Sequence, residues 1–234
     1  MKFNIFAGKK EKPLTGYALG RHGNPEEIFN FARTAGDWHS KTDLLNGTMD
    51  AYLAGEAENL RQFFTGYLDL KRANGNISSD IDEGFLNLFA DPMMRLMERS
   101  LDPQKTFEEL SEKWSAFYRQ IALDFTLRRA CSSNSDTVAE CLIKMGADIN
   151  AHNGRLLFIA VKNRADRVTR ILIARGALPD SEVFGHWKAA DQDYYDRIKS
   201  QLAKTPKAAS TEPTLPSIAH NKRLTGDPAK DFTP

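Results

Sequence analysis

The 234-residue chain is 41% hydrophobic and 27% charged, an ordinary globular composition with room for one large domain or two small ones. Its 32 Lys and Arg against 31 Asp and Glu leave a formal charge of +1, so no global field steers it to nucleic acid or anionic lipid. No run approaches the ~20 apolar residues that a membrane-spanning helix needs, and residues 1–6 are too short for a secretory leader, which makes a cytoplasmic protein the expectation. Export into another cell by a route without such a signal stays open.

Residues 1–23 are basic (Lys2, Lys9, Lys10, Lys12, Arg21), carry four glycines and read as a flexible arm. Within them Gly16-Tyr17-Ala18-Leu19-Gly20-Arg21-His22-Gly23 is glycine-rich, but it lacks the strand and spacing of a dinucleotide loop. Asn24-Pro25-Glu26-Glu27 has the chemistry of a helix start: a cap, a proline for the first helical position and two acids at the positive end of the dipole. Ile28, Phe29, Ala32 and Ala35 follow at helical spacing up to Gly36.

Asp37-Trp38-His39-Ser40 sets a carboxylate, an imidazole and a hydroxyl side by side, which reads as a capped turn between helices. An apolar stripe over residues 42–73 then predicts one long helix or two, interrupted by Gly47, Gly55 and Gly66, with Asn74-Gly75-Asn76 as its stop. Residues 80–90 predict a short amphipathic helix, with Asp80, Asp82 and Glu83 as its acid-rich first turn. Asp91-Pro92 predicts a restart through Arg99, and Asp102-Pro103 another boundary. Thr106-Phe107-Glu108-Glu109 resembles a capping box opening a helix that buries Leu110, Trp114, Phe117, Tyr118, Ile121 and Phe125. Alternation of period two is scarce, so an all-α fold is predicted.

A shift of thirty residues superimposes the chain on itself. Ala130 falls on Ala160, Asp136 on Asp166, Val138 on Val168, Leu142-Ile143 on Leu172-Ile173, and Gly146-Ala147 on Gly176-Ala177. Small residues thus recur where helices must approach, and glycine recurs where a helix must end in a left-handed cap. Gly146-Ala147-Asp148-Ile149-Asn150 and the stretch 160–176 resemble the ankyrin repeat.

That resemblance implies two antiparallel helices per unit and an outward finger. Inner helices would lie at about 124–132 and 156–162, outer helices at about 136–145 and 166–175, and residues 183–203 would form a divergent capping pair. It also implies protein binding through the finger and inner-helix side, here Asp148, Asn150, His152, Asn153, Arg155 and Lys162. The Thr-Pro-Leu-His opening of the family is replaced by Phe125-Thr126-Leu127-Arg128 and Arg155-Leu156-Leu157-Phe158, and the period is 30 instead of ~33. Asn134 and Arg164 stand where the turn between the helices usually carries glycine, and of the two only Asn tolerates a left-handed backbone easily.

Two such units seldom stand alone, so the helical region 24–123 is expected to pack on a short ankyrin-like α-solenoid at 124–203. The proline-rich segment 204–234 is expected to be disordered, because it has too little apolar surface to offset ordering.

Arg155, Lys162, Arg164, Arg167, Arg170 and Arg175, opposed only by Asp166, read as a solvated helix face or as a contact patch for an acidic partner. Phe158 is the single aromatic residue among them, too few for a row of base-stacking platforms, which argues against single-stranded nucleic acid. The five histidines are dispersed, and Cys131 and Cys141 would lie roughly 15 Å apart on a continuous helix, so neither a metal site nor a disulfide is expected. Two thiols without a metal-binding or redox pattern fit a reducing compartment and small core residues.

The functional expectation is an intracellular protein–protein interaction module without a cofactor. The rivals are an antitoxin, immunity or effector protein acting by binding, an enzyme with a site near Asp37 and His39, and a structural scaffold.

Overall fold

The computed structural model describes residues 16–34, 37–73, 86–151, 155–177 and 188–204. Eleven α-helices and no strand occur among them, so the fold is all-α. The tail after 204, residues 80–85 of the short amphipathic helix, the Asn74-Gly75-Asn76 stop, Ala35, Gly36, His152, Asn153 and residues 183–187 of the capping pair lie outside the described residues.

The expected arm is corrected at its C-terminal end, where Gly16–His22 form helix α1. Its glycines do not loosen the chain. They let α1 lie backbone against backbone on α3, with Gly20 facing Leu44 and Thr48, and Gly47 facing Tyr17 and Arg21. Asn59 of α4, itself buried, donates from Nδ2 to the Gly20 and Gly23 carbonyls at 3.3 and 3.4 Å and closes the end of α1.

Helix α2 (Pro25–Arg33) starts as its sequence requires, with Asn24 Oδ1 accepting from Glu27 N at 2.9 Å. Helix α3 (Trp38–Leu53) begins earlier than residue 42, because Asp37 caps it. Only one of the three glycines breaks the 42–73 stretch. Gly55 takes φ +96° and separates α3 from α4 (Ala57–Ala73), with the Glu56 N–H returning to the Ala51 carbonyl at 3.0 Å. Gly66 stays helical and lets α4 approach the Phe29 carbonyl.

Asp91-Pro92 opens α5 (Asp91–Arg99) as expected, with the proline in the first turn where its missing N–H costs nothing, although a π-helical turn at Leu86–Ala90 leads into it and Ala90 is itself helical. One further boundary differs from expectation. The Thr106 capping box is not the start of a long helix. Helix α6 (Pro103–Ser111) is capped by Asp102, whose Oδ1 accepts from Lys105 N, and the chain then breaks before α7 (Ala116–Ser133), capped by Ser115. Trp114 enforces the break by turning its ring into the core, against Phe64, Phe89 and Phe107, and donating from Nε1 to Thr65 Oγ1 at 2.9 Å. Of the expected buried face, Phe117 is 48% exposed, since the new helix phase turns it outward.

Helix α7 belongs to both halves of the molecule. Its first turns face the N-terminal helices, where Tyr118 donates to Asp69 Oδ1 at 2.6 Å. Further along, Arg129 Nε meets Asp91 Oδ1 at 2.7 Å, and Asp91 also holds Arg95. One cluster of buried apolar residues extends from Ile28 to Ile198.

Burial, reinforced by the hydrogen bond to Asp69 and opposed by Arg72, pushes the Tyr118 phenol up to about 12. A folded-state pKa above the unfolded value of about 10 gives stability that is fully present below pH 10. It is lost as pH rises through 12. Tyr118→Phe should therefore flatten the alkaline fall in stability between pH 10 and 12, at a cost of about 1 kcal/mol at neutral pH from the lost hydrogen bond. Chemical denaturation of both proteins across that range checks this, and parallel curves would contradict it.

Candidate partner-binding face

Beyond α7 the chain makes two hairpins, α7 with α8 (Asp136–Lys144) and α9 (Arg155–Lys162) with α10 (Asp166–Ala174). Their turns repeat bond for bond. Asn134 and Arg164 take φ 56° and 55°, and the following Ser135 and Ala165 N–H groups return to the Ala130 and Ala160 carbonyls at 3.1 and 2.9 Å. Gly146 and Gly176 take φ 99° and 83°, and the next amides, Ala147 and Ala177, both bond at 2.9 Å to Leu142 and Leu172. Arg164 pays the strain of a left-handed backbone that a Gly would avoid. Its guanidinium meets Asp191 at 2.9 Å and lies 4.7 Å from the Tyr194 ring centre, so contacts to α11 (Ala189–Lys204) hold it there.

Corresponding acids also repeat their role. Asp136 accepts from Arg167 of the next hairpin at 3.3 Å, and Asp166 accepts from the Tyr194 hydroxyl of α11. Asn134 Oδ1 reaches the Val168 amide at 3.5 Å. Each unit is thus tied to the one after it by the same acidic position. The inner helices differ in length, since α7 is 18 residues long and α9 is 8.

The expected contact residues fall into three groups. Asp148 is half-buried and organises its own loop, its amide donating to Asp124 Oδ1 and its Oδ1 accepting from Asn150 N, each at 2.8 Å. Asn150 is exposed beside it. Arg155 and Lys162 are the first and last residues of α9, seven positions apart and so on one face, roughly 10 Å from each other along the axis. Phe158 and Ile159 lie between them, both half-buried, and the Lys162 ammonium sits 5.6 Å from the Phe158 ring centre. The result is a narrow apolar strip with a cation at either end.

Three of the four cations of the expected basic patch have partners within the chain, although Arg167 stays 72% exposed in its pair. Arg164 and Arg167 are paired as described, and Arg170 donates to Gln201. Arg175 is exposed. The pairing partners come from 27 to 31 residues away in sequence, beyond the reach of a local count of charges.

Elsewhere, Asp37 is exposed and accepts from Ser40 N at 2.9 Å and Ser40 Oγ at 2.7 Å, bonds that hold its carboxyl below the usual range. Its carboxylate and the Ser40 hydroxyl serve each other in a capping turn, and His39 is exposed beside them. An open cleft of about 490 Å³ lies between α10 and α11, lined by Arg164, Asp166, Ala190, Asp193, Tyr194 and Arg197. Its arginines stack on Tyr194. Among the described residues no group of three His, Cys, Asp or Glu could hold a metal ion, and no helix is long and apolar enough to cross a membrane. Cys131 is buried and Cys141 half-buried, both as free thiols, and burial pushes Cys131 up to about 12.

One residue of the hairpins had no sequence signal as a site. Arg128, on the inner side of α7, is only 7% exposed, and its Nη1 has no hydrogen-bond partner. Comparison of the chain with protein-family models, curated proteins and solved structures finds no match.

Proposed function

We propose that the chain is a protein-binding module of ankyrin-like design, acting in the cytosol, whose contact face is the strip on α9 with the preceding loop. The observation that carries this reading is the bond-for-bond repetition of both turns at a thirty-residue shift, on a pair of helical hairpins tied to each other through Asp136 and Arg167. Stacked hairpins of this kind build extended concave surfaces, which such repeats use to bind partners. Asn150, Arg155 and Lys162 supply the polar rim. Phe158 and Ile159 supply the apolar centre that a protein contact needs. The partner fitted to this face has an acidic surface.

The test is capture by the full chain from its own cell extract, compared with a variant carrying Arg155→Glu and Lys162→Glu. Both residues lie outside the fully buried core, so melting temperature should stay near that of the parent while a reproducibly captured protein is lost by about tenfold or more. Undiminished capture by the charge-reversed variant would refute the assignment of this face.

A further inference from the structure

Arginine stays protonated in proteins, so a buried guanidinium normally has a carboxylate or several carbonyls around it. Arg128 departs from this. It is 93% removed from solvent by its 7% exposure, its Nη1 is fully enclosed without an acceptor, and no ion pair among the described residues includes it. Its neighbour on the next unit is another cation, since burial first and then the charge of Arg155 pull Arg128 below its ordinary value. The two lie on consecutive inner helices that pack together, α7 and α9. Arg155 is also the first residue of α9, where unpaired helical N–H groups add positive potential. Among the described residues no carboxylate pairs with Arg128, and its buried Nη1 is left without an acceptor.

A fold under no functional constraint would place an apolar residue there. Phe158, half-buried, stands at the corresponding position of the second unit, thirty residues on, so that helix position holds an apolar ring there. At Arg128 the same helix position instead holds a buried cation whose Nη1 has no acceptor within the chain.

We propose that Arg128, with Arg155 beside it, is an oxyanion-binding centre that receives a carboxylate of the acidic partner. The inference rests on the contact face assigned above and places its anchor one helix further in than the exposed cations. A planar guanidinium with an unpartnered Nη1 suits a carboxylate better than an ammonium would, because its N–H groups lie in one fixed plane.

The experiment uses the full chain and an Arg128→Met variant, melted in chloride, in inorganic phosphate and with a tetraglutamate peptide, all at one ionic strength. Methionine keeps the apolar reach of the side chain and removes its unpaired charge, so in chloride the variant should melt no lower than the parent. Phosphate and peptide should both raise the parent's melting temperature, and Arg128→Met should bind the peptide about tenfold more weakly or worse. If Arg128→Met fails to fold, Arg155→Gln, which alters a half-buried residue, must show at least a threefold loss.

No response of the parent, or an equal response of the variants, overturns the centre. A response to phosphate alone overturns the carboxylate assignment. Loss of the anion response while capture still depends on Arg155 and Lys162 removes the oxyanion centre and leaves the contact face standing. An Arg128-dependent response in a chain whose capture ignores those two residues keeps the centre and removes the contact face.

Discussion

Phe64→Ala should cost about 3–5 kcal/mol and lower the melting temperature by on the order of 10 °C. Phe64 is fully buried on α4 and is ringed by aromatic neighbours, Phe89 at 4.8 Å, Phe63 at 5.9 Å and Trp114 at 6.4 Å between ring centres. Removing the ring loses its transfer free energy and leaves a cavity that three rigid rings cannot collapse into, so the upper part of the range applies. Against a typical total of 5–15 kcal/mol, that is a large share. The position has wider consequences, because Trp114 uses the same cluster to break the chain between α6 and α7. A loosened cluster should therefore also weaken the seat of α7, the helix shared with the hairpins. Phe117→Ala is the matched control: the ring is half exposed, and its loss should stay within about 0.5 kcal/mol. Urea denaturation of the two variants separates them, and similar midpoints would show that the aromatic cluster is not the stabilising centre of the N-terminal half.

The contrast between these two phenylalanines shows what the sequence could and could not reveal. Both sit at helical spacing among apolar neighbours, and periodicity places both inside. Periodicity assumes an unbroken helix, and the break at 112–115 resets the phase, placing Phe117 outside while Tyr118 remains in. The break has a local mark in Ser115, whose side chain caps α7, but its cause is the tertiary pull on Trp114, made by residues nearly fifty positions away. The turns of the hairpins were legible for the opposite reason. Left-handed caps at Gly146 and Gly176 depend on the absence of a Cβ at one position, and that information is entirely local. Asn134 was readable on the same grounds. Arg164 was not, because its left-handed backbone is held by Asp191 and Tyr194 of a helix that follows much later. The candidate face divides in the same way: Arg155 and Lys162 were visible as charges, whereas the isolation of Arg128 is a property of what surrounds it, invisible until α7 and α9 are side by side.

Gly47→Leu should detach α1 from the rest of the molecule. A Cβ at Gly47 would stand 2.2 Å from the Tyr17 carbonyl and 2.9 Å from the Arg21 amide, and one at Gly20 would stand 2.2 Å from the Leu44 carbonyl. These neighbours are backbone, so no rotamer change relieves the overlap and the two helices must separate by more than an ångström. Separation also breaks the bond from the Tyr17 hydroxyl to Asp50 and withdraws the Gly20 and Gly23 carbonyls from Asn59. A seven-residue helix cannot persist alone, because nucleation outweighs the few bonds it makes. Residues 16–22 should then exchange their amide hydrogens freely and be cut by trypsin at Arg21, with about 2–4 kcal/mol lost from the whole. Gly55→Ala provides the comparison, since nothing lies within 4 Å of its added Cβ and only the φ of +96° is strained, for about 1 kcal/mol and no release of α1. Had the glycines of residues 16–23 marked a flexible arm, Gly47→Leu would leave trypsin cleavage at Arg21 as fast as before. In this fold the same residues are what allows a short helix to be bound at all, and protection of Arg21 in the parent, lost in Gly47→Leu and retained in Gly55→Ala, distinguishes the two.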